Sequence, residues 1–246
     1  MKKKNVQKHK PIKTEPIGPA GEETNTIAKI EAYIENNRNL VISVSVGIIV
    51  VVIGIFFLKN YFEEQEHQKT ENAAFALSKV QDIYLANDYQ KALYGDSTKL
   101  VEGRPMLGLV DIVEKFDGTK PAQIAALYAA DCFVNLGKYD EAEKYFEIAS
   151  ESDALIIKEG AYAGLGICSE YAGKYEKAIE NYEKAFAYAK TKAAKDRFLY
   201  YQALCYEKLG DKEKAKTILE DIIAENSTEF VNLAKGALAR IGTIIE

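Results

Sequence analysis

NLGKYDEAEKYFEIA, residues 135–149, returns twice in altered form, as EYAGKYEKAIENYEKAF at 170–186 and KLGDKEKAKTILEDI at 208–222. The three fall into register when Gly137, Gly173 and Gly210 are aligned, 36 and 37 residues apart. Five residues after each glycine stand Ala142, Ala178 and Ala215; nine after, Phe146, Tyr182 and Leu219; twelve after, Ala149, Ala185 and Ile222. Seven before come Ala130, Gly166 and Ala203, and five before, Cys132, Cys168 and Cys205. Small residues at helical spacing on both sides of a glycine describe two helices that cross closely, with the glycine ending the first. One such pair cannot bury its apolar face alone. Repetition at this period therefore predicts stacked helical hairpins and an all-α fold.

These aligned positions resemble the tetratricopeptide repeat (TPR), in three units over residues 119–225. Two features depart from that family. The aromatic eleven residues before the glycine is kept only as Tyr162, with Ala126 and Leu199 in the other units, and the closing proline is replaced by Ala154, Lys190 and Ser227. Upstream, residues 59–118 read as an extended helix followed by a degenerate repeat. Ala73, Leu77, Val80 and Tyr84 form its first apolar face. Gly95-Asp96-Ser97 interrupts, and Pro105 is placed to open a helix through Met106, Leu109, Val110 and Val113. Residues 226–246 read as a capping helix with a stripe of Phe230, Leu233, Ala237, Ile241 and Ile244.

Ahead of all this lies LVISVSVGIIVVVIGIFFL, residues 40–58, without a charge. At about 1.5 Å per residue, nineteen helical residues reach roughly 30 Å, the thickness of a bilayer core. Arg38 and Lys59 flank the run, and Tyr61 and Phe62 follow at one interface. A cleaved signal peptide has a shorter apolar run and a small-residue cleavage site, neither of which is found here. The segment is expected to be a transmembrane anchor. Ser43, Gly47 and Gly54 form a small-residue stripe suited to packing against another membrane helix. Residues 1–25, rich in Lys, Pro, Gly and Glu, read as a disordered tail, and 26–39 as a juxtamembrane amphipathic helix with Ile27, Ile30 and Ile34 on one face.

Charge suggests the topology. Residues 1–39 hold eight Lys/Arg and five Asp/Glu, leaving 24 Lys/Arg and 32 Asp/Glu for residues 59–246. The positive-inside rule then places the N-terminus in the cytoplasm and the repeats outside it. An acidic domain of this kind lacks the basic face that nucleic acid requires. The only histidines are His9 and His67, both far in sequence from the cysteines, which argues against triad catalysis and a His-containing zinc site. The cysteines, one per repeat at a small-residue position, read as buried hydrophobes rather than ligands or disulfides. Gly164-Leu165-Gly166 lies inside a repeat helix and lacks the context of a nucleotide loop. No catalytic, cofactor or metal constellation is read, and the chain is expected to be non-enzymatic.

The TPR resemblance implies a concave groove lined by the first helix of each pair. Its positions fall on Ile124, Leu127, Asp131 and Val134, then Ala163, Ile167, Glu170 and Tyr171, then Arg197, Tyr200, Leu204 and Glu207. That is an apolar floor with acidic rims, suited to an apolar segment of a protein partner. Leu127 and Asp131 stand where the carboxylate-clamp subtype needs Lys and Asn, so capture of a C-terminal carboxylate is not expected. One span, a short tail and a TPR domain together resemble the YfgM-like proteins of bacterial envelopes. That resemblance implies an inner-membrane scaffold with a periplasmic TPR domain. Its partners would be Sec translocon subunits, a periplasmic chaperone or exported chains. The alternative is a self-associating structural envelope protein, a homo-oligomer whose groove is filled in cis or by another protomer.

Overall fold

The computed structural model describes residues 20–101, 103–225 and 228–242. The chain divides into two compact units, Met1–Glu63 and Glu64–Glu246. Helices α1 (Ala20–Asn36) and α2 (Arg38–Leu85) begin the chain. They are followed by α3 (Tyr89–Tyr94), strands β1 (Asp96–Val101) and β2 (Arg104–Met106), and α4 (Leu109–Lys115). The repeats supply α5 (Lys120–Asn135), α6 (Tyr139–Ser150), α7 (Leu155–Tyr171), α8 (Tyr175–Tyr188), α9 (Lys192–Leu209) and α10 (Lys212–Glu225), and α11 (Phe230–Arg240) ends the described chain.

In the first unit, α1 starts at Ala20, six residues earlier than its expected start. The tail expected to be disordered thus loses its last six residues to a helix, and residues 1–19 lie outside the described ones. Apolar side chains of residues 40–58 point outward all round α2, with Val50 63% and Phe57 67% exposed. The most apolar 18 residues there have a mean hydropathy of 3.0, and none is buried. The helix is long and apolar enough to cross a membrane. Gly47 and Gly54 face open space, and the Ser43 hydroxyl donates to the Asn39 carbonyl at 2.8 Å.

In the second unit, the aligned positions flanking each repeat glycine are core, while Gly137, Gly173 and Gly210 themselves are exposed. Ala130, Ala142, Ala149, Ala178, Ala185 and Ala215 are fully buried, and Phe146, Tyr182 and Leu219 nearly so. Each first helix ends in the same hydrogen-bonded motif. At Gly137 (φ +72°) the Lys138 amide donates to Phe133 O and the Gly137 amide to Val134 O; the same pair of bonds recurs at Gly173 and Gly210. Glycine takes this left-handed conformation without the Cβ penalty. Gly164 and Gly166 act differently, by close approach. A Cβ at Gly164 would stand 2.1 Å from the Phe146 ring, and one at Gly166 2.4 Å from the Tyr182 ring.

Two local expectations are corrected. Residues 96–106 form an antiparallel hairpin, so Pro105 and Met106 lie in β2 and the helix begins only at Leu109. Gly95 (φ +79°) and Gly108 explain this. A Cβ on Gly95 would meet Met106 O at 2.2 Å, and one on Gly108 would meet Leu93 O at 2.2 Å, so the two glycines let the ends of the hairpin touch backbone to backbone. Proline, lacking a donor, is tolerated in such a short edge strand. In α11 the expected Phe230, Ala237 and Ile241 pack on the core beside buried Val231, Ala234 and Leu238, whereas Leu233 is 47% exposed. Ile244 lies outside the described residues, as does Ser227 at the closing-proline position.

Candidate partner-binding groove

First helices run side by side in the second unit, beginning with the C-terminal part of α2. Lys69 Nζ donates to Asp117 O just before α5, while Tyr84 near the end of α2 donates to Asp131 Oδ2 at 3.0 Å near the end of α5. The Tyr84 and Tyr128 rings stack at 4.5 Å. Between α7 and α9, Arg197 Nη2 donates to Glu159 Oε1 at 3.3 Å. Between α9 and α11, Arg240 makes a two-pronged bond to Glu207, at 3.0 and 2.7 Å. Such forked pairs are stronger than single neutral hydrogen bonds. Arg240 holds the Glu207 carboxyl below its ordinary range, and burial together with Asp131 pushes the Tyr84 hydroxyl well above its own.

These bonds change the character of the expected acidic rim. Asp131 accepts from Tyr84 and Asn135, Glu207 from Arg240, and Glu170 turns inward to accept from the buried Tyr182 hydroxyl at 2.6 Å. All three carboxylates, and Arg197, are engaged within the fold. The apolar positions divide as well. Ile124, Leu127 and Val134 are half-buried against the core formed with α5 and α6, and Tyr200 and Leu204 against that formed with α10 and α11. Leu127 methyls lie 3.4 Å from where a Cβ of Gly160 would stand, so that glycine admits α7 close to α5.

What stays open is α7. Ile167 is 40% and Tyr171 69% exposed, and the Tyr171 ring stacks on Tyr139 at 3.7 Å. At the start of the same helix, Ile156 is 70% exposed. Ile156, Gly160, Ala163, Ile167 and Tyr171 recur at i, i+4, i+7, i+11 and i+15, a single apolar stripe with small residues at its middle. Ile156 is absent from the groove positions that the repeat pattern implies. Its signal is the run Leu155-Ile156-Ile157, since three consecutive apolar residues cannot all face inward on a helix.

The cysteines sit inside the stack. Cys132, Cys168 and Cys205 are buried and free, and burial pushes the Cys132 thiol up to about 12 and the Cys168 thiol to about 11. Thiols held so far above neutrality carry almost no nucleophilic thiolate. Gly164-Leu165-Gly166 lies within α7, with aromatic rings against both glycines.

Residues 128–154 and 160–192 match one family model of the tetratricopeptide repeat, and residues 197–228 match another. Among solved structures, the chain is similar to the crystal structure of MamA protein, at 18% identity and a TM-score of 0.40, over 56% of this chain and 68% of that one. No curated protein matches the sequence. The second unit thus carries TPR-type helical repeats, an architecture associated with protein–protein interaction.

Proposed function

We propose that the protein is a membrane-anchored, non-enzymatic scaffold whose groove holds an apolar segment of a protein partner along α7. The observation that carries this reading is the contrast within the first helices. Their polar groove residues are bonded within the fold, Asp131 to Tyr84, Glu170 to Tyr182, Arg197 to Glu159 and Glu207 to Arg240, while Ile156, Ile167 and Tyr171 remain open to solvent. Aromatic and aliphatic side chains on a rigid helix, set among residues already engaged, are the usual anchors of an interface. An amphipathic helix or extended apolar stretch suits such a stripe. The apolar run at 40–58 supports the anchor, and the charge bias supports a cytoplasmic N-terminus with the repeats in the periplasm. The likeness to YfgM-like proteins suggests Sec translocon subunits, a periplasmic chaperone or exported chains as partners.

The test is photo-crosslinking in intact cells, with the reactive residue at position 167 and a control at exposed Lys174. Translocon subunits or periplasmic chaperones captured at 167 alone support the scaffold. Ile167→Asp combined with Tyr171→Asp should lower that capture at least tenfold with the helical spectrum unchanged, since hot-spot truncations cost about 2 kcal/mol or more. Capture of the chain's own copies only would favour the self-associating structural protein, and cytoplasmic partners would invert the topology.

A further inference from the structure

Away from the groove, α2, the β1–β2 hairpin and α4 enclose an open cleft of about 980 Å³. Ligand sites reach roughly 1,000 Å³ and are mostly apolar with a few placed polar groups. This one fits that description. Its floor is Phe75 and Ala76 of α2, Met106 at the end of β2, and Phe116 just past α4. Phe75 is 40% exposed, and Tyr94 on the cleft wall 55%, so two aromatic rings stay in water beside a well-packed core. The charges at the cleft are unequal. Lys79 rests its ammonium 4.9 Å over the Phe75 ring and has no carboxylate partner among the described residues. Lys115 has only a 3.9 Å contact with Asp111, both about half exposed. Two ammonium groups against one carboxylate leave a net positive charge beside an apolar trough.

That combination is complementary to a molecule with an apolar chain and one anionic end. We propose that the cleft binds a long-chain fatty acid, its acyl chain along Phe75, Met106 and Phe116 and its carboxylate at Lys79 and Lys115. Burying the methylenes supplies affinity, and the ammonium groups select the ionised head. The hairpin is what builds the site, because the close approach of Gly95 to Met106 and Gly108 brings Met106 back to the end of α3 and closes one side of the trough.

The experiment uses the full chain in nanodiscs of zwitterionic phosphatidylcholine and a palmitate probe with a photoactivatable diazirine on its chain. Adducts mapped by mass spectrometry are expected on residues 72–79 and 105–116, displaced by palmitate and not by its methyl ester. Lys79→Glu, a solvent-exposed change that leaves the core untouched, should cut those adducts about tenfold, the size of a lost charged hydrogen bond. Ala76→Trp should abolish them with the helical spectrum retained. Adducts confined to residues 40–58, equal displacement by the methyl ester, or Lys79→Glu labelled like wild type would each overturn the proposal.

Discussion

Gly166 and Gly173 are seven residues apart and are costly to replace for different reasons. At Gly166 an added methyl would stand 2.4 Å from the Tyr182 ring, within the crossing of α7 and α8. Gly166→Ala should therefore destabilise the chain by about 1–3 kcal/mol through overpacking. At Gly173 space is open and only the backbone objects (φ +70°), so Gly173→Ala should cost about 1–2 kcal/mol and Gly173→Asn less. Urea unfolding followed by circular dichroism would rank the three. Glu207 makes a pH prediction. Its folded pKa is depressed, first by the hydrogen bonds from Arg240, so it contributes stability that is present above the unfolded value of about 4.5 and lost as pH falls through the lower folded value. Glu207→Gln should be less stable than wild type at pH 7, and the gap should close on acidification below pH 4.5. A constant gap across that range would mean that the ion pair contributes nothing.

At the scale of elements, a buried charge pins α9 to the end of α10 and the turn before α11. Asp196 is fully buried; it accepts from Lys192, one turn earlier, and from the Thr228 hydroxyl at 2.8 Å, while Lys192 also pairs with Glu225 at the end of α10. Lys192 is 38% exposed and would keep Glu225, so removing Asp196 should cost less than the ~3–5 kcal/mol of a fully buried pair. Asp196→Ala should loosen this corner first, seen as faster amide exchange over 228–240 with exchange over 120–150 unchanged. The neighbouring pair is bound differently. Tyr162 of α7 stacks on Tyr188 of α8, with Lys184 over the first ring and Lys158 over the second. Packing also hides the thiols. N-ethylmaleimide at pH 7 should leave Cys132, Cys168 and Cys205 unmodified in the folded chain and label all three in urea, as read by intact mass.

For the whole molecule, the apolar run of α2 is long enough to cross a membrane. Leu, Ile, Val and Phe fill most of residues 40–58 and each favours insertion by about 0.3–0.6 kcal/mol, against about 2.5–3.5 for one central arginine. Fifteen such residues contribute roughly 5–9 kcal/mol, so Val50→Arg alone should leave the chain in the membrane pellet after alkaline extraction. A chain starting at Glu64 should move to the supernatant. The repeats, for their part, leave an apolar stripe of α7 open to solvent, and the proposed interaction surface lies there. Helix α7 combines buried small residues, at Gly164 and Gly166, with an exposed apolar stripe, and this is why partner capture is expected at position 167.

Spacing along the chain was enough to place the three repeats, the glycines that end their first helices, the buried cysteines and the apolar run. Each of these depends on residues a few positions apart, and helical periodicity writes that information locally. The capping helix shows the limit. Phe230, Ala237 and Ile241 of the expected stripe do pack on the core, but Leu233 turns outward and the buried face shifts to include Ala234 and Leu238. The hairpin at 96–106 likewise depends on Gly95 meeting Met106 and Gly108, a closure of the chain on itself that Pro105 alone does not announce. The groove depended most on tertiary structure. Asp131, Glu170 and Glu207 read as an acidic rim until Tyr84, Tyr182 and Arg240 are seen to bond them, from 47, 12 and 33 residues away. A side chain's type is in the sequence. Whether it is free to meet a partner is decided by whichever distant helix the fold lays beside it.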